Sequence, residues 1–345
     1  MDFEKLKTHL AAHGVQKYRL TQIRKAVYEQ GVRSWDQMSA VPAPLREELA
    51  PQFPMLSCKL AALRISKVSD ARKALLEFKD GARIETVLLN AGSGWSVCVS
   101  SQVGCPVRCV FCATGKMGFK RNLSAIEIEE QVLFWLQHVR QEKLAQRISS
   151  VVFMGMGEPF MNYTEVVKAI GLISSHDGLG IGQRHISVST SGFPRGIMKL
   201  ASDLPQVNLA LSLHTVDDLE RSRLMPINRR FGLDDLKKAL ELYIKRTKRE
   251  VFLEYAVMAG HNDSPAHARK LIEWVRSISG SYLLHVNLIP CNKVKGSQFE
   301  ASTGDAERFA ARLLPAGVKA TVRKSLGHDI AAACGQLAAG SEGKR

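Results

Sequence analysis

The stretch Cys105-Pro106-Val107-Arg108-Cys109-Val110-Phe111-Cys112 spaces three cysteines as C-x3-C-x2-C, directly after an apolar run at residues 97–99. Such a run is typical of a short β-strand. Three thiolates this close together can hold one face of a metal centre. A structural zinc site needs a fourth ligand, whereas an iron–sulfur cluster held by three cysteines keeps one iron open to a substrate. The spacing alone leaves three interpretations open: a cluster, a zinc site and a loop that binds nothing.

The sequence on both sides of this loop alternates between strand and helix patterns. An amphipathic helix is predicted over 126–139, with Ser124 as its N-cap and Glu127 completing a capping box. Apolar strand patterns occur at 97–99, 149–154, 185–189, 207–213, 251–258 and 284–289. Strands separated by helices predict parallel βαβ units. Six such units predict an α/β fold, a partial (β/α)6 barrel whose active site lies at the carboxyl ends of the strands.

The remaining segments predict a domain organisation around that barrel. Residues 1–60 have helical spacing of apolar residues and form a small N-terminal helical accessory unit. Residues 61–94 form a short β extension, in which Asp80-Gly81 is a hairpin turn. The barrel itself spans 95–337, and 338–345 is a flexible tail.

Composition narrows the function classes. The 345 residues are 45% apolar, which excludes general disorder, and 48 Lys+Arg against 33 Asp+Glu give a net charge of +15. This balance favours a polyanionic partner, most simply nucleic acid. No apolar run reaches the length of a membrane-spanning helix, and the first residues lack the layout of a signal peptide, so we expect a cytoplasmic protein without a membrane partner. The odd count of seven cysteines argues against a disulfide framework.

Further motifs accompany the cysteine loop along the chain. They are Cys98-Val99-Ser100-Ser101-Gln102-Val103-Gly104, then Phe111-Cys112-Ala113-Thr114-Gly115, then Gly118-Phe119-Lys120-Arg121-Asn122-Leu123, and finally Ala333-Cys334-Gly335-Gln336-Leu337. The C-x3-C-x2-C loop with an aromatic residue before its last cysteine resembles the signature of radical S-adenosylmethionine (SAM) enzymes. The wider set resembles the RlmN/Cfr RNA methyltransferases over nearly the whole chain.

The resemblance implies a cofactor site. Cys105, Cys109 and Cys112 would hold one [4Fe–4S] cluster with an open iron, and two SAM molecules would be used per turnover. The SAM pocket would be formed by Gly157, Glu158, Ser189, Ser212, Leu213, His214 and Asn292. The residues alone give these strand-end positions a plainer interpretation as caps and turns. Cys291, where the family usually has an aromatic residue, is expected to be a local variation without a catalytic role.

The resemblance also implies three catalytic residues. Cys334 would carry the methyl group, Cys98 would resolve a covalent RNA adduct and leave a transient disulfide, and Glu85 would accept the proton of the RNA base. By themselves, a cysteine near glycine and a glutamate in a strand are more simply a packed thiol and a solvent-facing charge.

The implied activity is methylation of C2 of adenosine in 23S rRNA, at the peptidyl-transferase centre, and of adenosine 37 in tRNA. The implied partners are these two RNAs, with residues 1–60 as an RNA-binding accessory domain, and an electron donor such as flavodoxin or ferredoxin. We expect a monomer. Methylation of C8 of the same rRNA base is the alternative, and a zinc-stabilised RNA-binding protein is a third hypothesis. Candidate contacts to RNA phosphates are Lys116, Lys120, Arg121, Arg221, Arg223, Arg229, Arg230, Lys237, Lys238, Lys245, Arg246, Lys248 and Arg249.

Overall fold

The computed structural model describes residues 1–294, 297–300 and 304–338. The predicted tail at 338–345 therefore lies outside the described residues except for Ala338. No helix of the described part of the chain is long and apolar enough to cross a membrane.

The chain begins with helices and continues with an antiparallel extension. The helices are α1 (Phe3–Ala12), α2 (Tyr18–Arg24), which continues as a π-helical turn over Lys25–Gln30, and α3 (Ala43–Leu49). Strands β1 (Cys58–Ile65), β2 (Ala71–Phe78) and β3 (Arg83–Asn90) follow. Strands β2 and β3 pair antiparallel around Asp80-Gly81, as predicted from the turn signal. Strand β3 then pairs antiparallel with β4 (Trp95–Cys98), which joins the extension to the barrel sheet.

The barrel sheet is built from parallel strands separated by helices. After β4 come β5 (Gln102–Gly104), α4 (Ala113–Lys116), β6 (Phe119–Asn122), α5 (Ala125–Gln141), β7 (Ser150–Phe153), α6 (Tyr163–Ser174), β8 (Ile186–Thr190), α7 (Pro194–Asp203) and β9 (Asn208–Ser212). They are followed by α8 (Asp218–Leu224), α9 (Leu233–Thr247), β10 (Val251–Val257), α10 (Pro265–Arg276), β11 (Leu284–Pro290), α11 (Asp305–Leu313) and β12 (Ala320–Val322). Among the described residues, the large sheet has the order β1-β2-β3-β4-β7-β8-β9-β10-β11-β12, and β5 pairs with β6 in a separate sheet.

The predicted α/β class and partial barrel are confirmed. Strands β4 and β7–β11 are parallel neighbours, as the six apolar runs predict. A seventh parallel strand, β12, pairs with β11 and has no counterpart in the sequence prediction. It is three residues long and only partly buried, so it carries no continuous apolar run that could have revealed it.

Local sequence explains the helix that supports the cysteine loop. Ser124 caps α5 by accepting from the Glu127 backbone N–H, and the Glu127 side chain accepts from the Ser124 N–H in return. This reciprocal capping box satisfies two amide groups that the first turn leaves unpaired. It fixes the point at which the chain leaves β6 and enters α5.

Candidate active site

A cavity of about 180 Å³ opens at the carboxyl ends of the parallel strands. Ten of the predicted site residues line it: Cys105, Cys109, Cys112, Gly157, Glu158, Ser189, Ser212, His214, Asn292 and Cys334. Leu213, Cys98 and Glu85 do not line it. These residues are more than two hundred positions apart in the sequence, from Cys105 to Cys334, but they lie together at one edge of the sheet.

The cysteine loop is held between β5 and α4. Arg108 turns the chain with a φ of 57°. A Cβ atom on Gly115 would lie 2.8 Å from the carbonyl oxygen of Cys109, so glycine lets α4 pack directly on the loop. Burial raises the pKa of the Cys105 thiol to about 12 and that of Cys109 well above its ordinary value. Both thiols are thus protonated without a metal, and metal binding must release those protons.

Glu158 organises the loop after β7. Its buried carboxylate accepts hydrogen bonds from Thr190 Oγ1 (2.8 Å), Ser191 N (2.7 Å), Ser191 Oγ (2.7 Å) and Phe160 N (3.0 Å). Burial raises its pKa even though these donors act in the opposite direction. Four donors fill the acceptor positions of a carboxylate. The side chain of Glu158 therefore fixes the end of β8 at the wall of the cavity.

Gly157 has a φ of 103°, and a Cβ atom there would lie 2.6 Å from Gln102 Cβ. Only glycine accommodates both the dihedral angle and this close approach. The next strand ends bring Ser189 and Ser212 together, with their Oγ atoms 3.4 Å apart. These two hydroxyls form a polar wall of the cavity.

His214 follows β9 with a φ of 60°. Its Nδ1 accepts a hydrogen bond from the Ala256 backbone N–H at 3.0 Å. Burial, followed by the charge of Arg221, lowers the pKa of His214 to about 3. The imidazole is therefore neutral at physiological pH and carries its proton on Nε2. This nitrogen is a hydrogen-bond donor.

Two sequence assignments near His214 need correction. Arg221 was assigned to RNA phosphates, but it is fully buried and donates to the carbonyl oxygens of Leu213 (3.1 Å), Ser191 (2.8 Å) and Ser212 (2.9 Å). Its guanidinium holds the ends of β8 and β9 and cannot reach RNA. The Leu213 side chain is also fully buried and does not line the cavity, so this side chain is not part of the cavity wall that was predicted to bind SAM.

Cys334 lies on a C-terminal strap, residues 327–338, that crosses the barrel mouth. The strap is fastened on two sides of the cavity. Asn292 Nδ2 donates to the Cys334 carbonyl oxygen (3.2 Å), and the Ala113 N–H donates to the Gly335 carbonyl oxygen (2.8 Å). Cys334 itself is exposed, and desolvation of its thiol by the cavity walls, with the nearby Glu254 carboxylate, raises the pKa of that thiol.

Cys98, the last residue of β4, is buried beneath the cavity. Burial, followed by the neighbouring Cys334 thiol, raises the pKa of Cys98 to about 12. The thiols of Cys98 and Cys334 are therefore close enough for the charge of one to affect the pKa of the other. No disulfide joins any pair of cysteines in the described part of the chain, so the expected disulfide bond is not present.

Glu85 does not line the cavity, and its carboxylate contacts the strap. Its carboxylate forms a buried ion pair with Lys73 (Nζ–Oε1 3.0 Å) and accepts from the Ala338 N–H (2.8 Å). Lys73 also donates to the carbonyl oxygen of Ala331 (2.9 Å). The Glu85–Lys73 pair therefore connects the antiparallel extension to both ends of the segment that carries Cys334.

Sequence reasoning missed Glu254. It lines the cavity, accepts from Asn287 Nδ2 (2.9 Å) and faces Arg323 at 3.5 Å. Burial raises its pKa. The sequence does contain a sign of this residue, because Glu254 is an acidic residue inside the otherwise apolar run of β10. Strands buried on both faces rarely contain a charged residue without a specific role or partner. Cys291 also lines the cavity, next to Asn292.

Comparison with known proteins identifies the fold and the family. Residues 99–272 match the Radical SAM superfamily, and residues 1–54 match the ribosomal RNA large subunit methyltransferase N-terminal domain. The crystal structure of a radical SAM methyltransferase from Sphaerobacter thermophilus superposes with a TM-score of 0.92, at 40% identity, over 98% of both chains.

Among curated proteins, the probable dual-specificity RNA methyltransferase RlmN of Staphylococcus carnosus is 41% identical over 98% of this chain and 91% of its own length. The ribosomal RNA large subunit methyltransferase Cfr of Clostridium botulinum is 39% identical over 97% of this chain and 96% of its own. The chain belongs to the RlmN/Cfr family of radical SAM RNA methyltransferases. The resemblance noted in the sequence is thereby confirmed, and membership of the radical SAM superfamily implies a [4Fe–4S] cluster and SAM.

Proposed function

We propose that this chain methylates C2 of adenosine in 23S rRNA, and adenosine 37 of tRNA, through a methyl group carried on Cys334. The observation that carries the proposal is one cavity lined by both the three-cysteine loop and Cys334, with Cys98 buried beside it. A metal centre for radical formation and a thiol for methyl transfer therefore meet in one space. Relatives named as RlmN support the RNA substrates.

The cysteine loop suits a cluster better than a single zinc ion. A structural zinc ion is held by four ligands, whereas this loop supplies three thiolates, as a cluster with one open iron requires. The match of residues 99–272 to the Radical SAM superfamily supports the cluster. Cys105, Cys109 and Cys112 would hold a [4Fe–4S] cluster, which would supply the electron for reductive cleavage of SAM to an adenosyl radical.

The remaining cavity residues bind and orient SAM. Ser189 and Ser212 offer hydroxyls to its ribose or carboxylate, and Asn292 offers the edge of its amide. His214 donates from Nε2, because Nδ1 is occupied by the Ala256 N–H. Gly157 lets the backbone approach the amino group, and Glu158 holds the neighbouring strand end in place through Thr190 and Ser191.

Three residues handle the transferred group and its protons. Cys334 holds the methyl carbon as a thioether, and this carbon would lose one hydrogen atom to the adenosyl radical and then bond to the adenine ring. Glu85 accepts the ring proton, which requires that its contact with the Ala338 N–H first opens, and the unpaired electron left on the ring would return to the cluster. Cys98 then attacks the sulfur of Cys334, so that an S–S bond forms, the S–C bond breaks, and the carbon keeps the electron pair and takes a proton to become the methyl group. A thiol reductant must reopen the Cys98–Cys334 disulfide before the next turnover. Two SAM molecules are consumed, one for the methyl group and one for the radical.

The RNA substrate would lie across the barrel mouth. Lys120, Arg229 and Arg230 are exposed and can contact phosphates. Phe119 is 46% exposed beside Lys120 and can stack on an unpaired base. Because phosphate contacts release counterions, RNA affinity should fall steeply with salt. A flat dependence would contradict this placement.

The regiochemistry is tested by mass spectrometry of nucleosides. RNA from a strain lacking the endogenous C2 methyltransferase is analysed with and without this gene. We expect 2-methyladenosine in both 23S rRNA and tRNA. Appearance of 8-methyladenosine would overturn the C2 assignment in favour of the Cfr-like reaction, which the Clostridium botulinum relative makes a specific alternative. Absence of both marks from cluster-loaded protein would point to the RNA-binding hypothesis.

The roles of the two cysteines are tested separately. Cys98→Ala should retain RNA covalently on Cys334, because nothing resolves the adduct. Cys334→Ala should form no adduct, because no methyl group is carried. Denaturing electrophoresis with labelled RNA measures both results, and Cys58→Ala is the matched control with normal turnover. Normal turnover by Cys98→Ala and Cys334→Ala would contradict the mechanism.

A further inference from the structure

A groove of about 440 Å³ lies on the outer face of the cysteine loop. Its walls include three exposed basic side chains from three segments: Arg108 of the loop, Lys116 of α4 and Arg223 of α8. Cys109 lines both this groove and the active cavity. Cys109, which would hold one side of the metal centre, therefore separates the cavity from the groove. Cys334 lines the cavity but not the groove.

The backbone holds these basic residues at a fixed place relative to Cys109. The Val110 N–H donates to the Leu224 carbonyl oxygen at 3.0 Å, which joins the cysteine loop to the end of α8 beside Arg223. The close packing of Gly115 on Cys109 sets the position of Lys116. Among the described residues, no acidic side chain lines the groove.

The groove also has an apolar floor. Leu224 and Phe299 line it and belong to a packed cluster that includes Met225, Met258 and Cys291, with Cys109 packed against them. Val110 adds apolar surface that is 37% exposed. An apolar centre with a charged rim is the composition of a protein–protein interface. A surface that contacts only phosphates needs no such floor.

We propose that this groove docks an acidic one-electron carrier protein, which reduces the cluster from the side of Cys109. The proposal rests on the proposed function, since it requires the cluster. One electron leaves the carrier, which is oxidised, and enters the cluster, which is reduced; no bond forms and no proton moves. Positive charge around the groove steers the acidic carrier to this face. The RNA approaches Cys334 through the separate mouth of the cavity.

The test measures reduction of the cluster, independently of methylation. The charge-reversed variant Arg108→Glu/Lys116→Glu/Arg223→Glu is compared with Lys7→Glu/Lys199→Glu/Arg269→Glu, which changes the net charge equally on exposed parts of α1, α7 and α10. Iron and sulfide contents show that each variant holds its cluster. Stopped-flow absorption then follows reduction by reduced flavodoxin and, separately, by dithionite.

We expect the groove variant to be reduced by flavodoxin at least tenfold more slowly at low ionic strength, with the difference shrinking as salt rises. Dithionite should reduce both variants and the parent protein at similar rates. Equal rates with flavodoxin would overturn the docking surface while leaving the methyltransferase proposal intact. Loss of RNA affinity with unchanged flavodoxin reduction would assign the groove to RNA. If the parent protein assembles no cluster, the proposed function itself fails.

Discussion

Glu254 places a carboxylate in the cavity that also holds Cys334. Its charge raises the pKa of the Cys334 thiol, while Arg323 acts in the opposite direction. The surroundings also decide what His214 and Arg221 can do. Burial and hydrogen-bond partners matter more for both side chains than the residue type does. His214 is neutral, and Arg221 serves as a brace between strand ends.

Glu254→Gln removes the negative charge and leaves Arg323 in place. We therefore expect the pKa of Cys334 to fall and its alkylation by iodoacetamide at pH 8 to become several-fold faster in metal-free protein, since the thiolate is the reactive form. Mass spectrometry of the Cys334 peptide measures the rate. Glu250→Gln, at the opposite end of the strand region, should leave the rate unchanged. An unchanged rate in Glu254→Gln would show that Glu254 does not act on this thiol.

At the scale of elements, α5 departs from simple amphipathic patterning. Charged side chains of a helix ordinarily face solvent, yet Glu129 and Glu130 are buried because the N-terminal helical region covers that side of α5. Glu130 accepts from the Ser57 N–H at 2.7 Å. Glu129 is paired with Tyr28 and has one oxygen without a partner, and its burial raises its pKa to about 7.

This shift makes the packing of α5 pH-dependent. Between about pH 4.5 and 7 the folded protein retains a proton on Glu129 that the unfolded chain has lost, so this group lowers stability as pH rises through that range. Glu129→Gln keeps an acceptor for Tyr28 without the charge. We expect it to raise the free energy of unfolding by about 1–3 kcal/mol at pH 8 and by much less at pH 5. Thermal unfolding at both pH values is the measurement.

Glu142→Gln, on the exposed end of the same helix, is the control and should show no such pH-dependent gain. Equal effects of Glu129→Gln at pH 5 and pH 8 would mean that Glu129 is ionised in the same way in the folded and unfolded chain.

At the scale of the whole molecule, residues far apart in the chain close the site. The strap at 327–338 is held by the antiparallel extension through Lys73 and Glu85, and by the first residue of α4, Ala113. Ser66 Oγ adds a hydrogen bond to Asp329 at 2.7 Å. The position of Cys334 therefore depends on segments from three parts of the fold.

Lys73→Met leaves Glu85 buried without its cation. Removing one partner of a buried pair costs about 3–5 kcal/mol. We expect a loss of that order in the free energy of unfolding, together with faster hydrogen exchange in residues 327–338. Lys59→Met, on the exposed face of neighbouring β1, should change stability by less than about 0.5 kcal/mol. Unchanged exchange in the strap would show that the ion pair does not hold it.

The sequence by itself determined the alternation of strands and helices, the cysteine loop and the family, because periodicity and motif spacing are local properties. It also placed Gly157, Ser189, Ser212, His214 and Asn292 at strand ends, and parallel strands bring their carboxyl ends to one edge.

Only the tertiary structure decided which charged residues face solvent. Arg221 and Glu129 look like surface residues in the sequence, but neighbouring elements bury both. The tertiary structure also decided that Glu85 contacts the strap and that Glu254 lies in the cavity near Cys334. Glu85 meets Ala338, and Glu254 meets Cys334, across more than fifty positions of the chain. Long-range packing sets the burial, and burial sets the charge state and the role of each group.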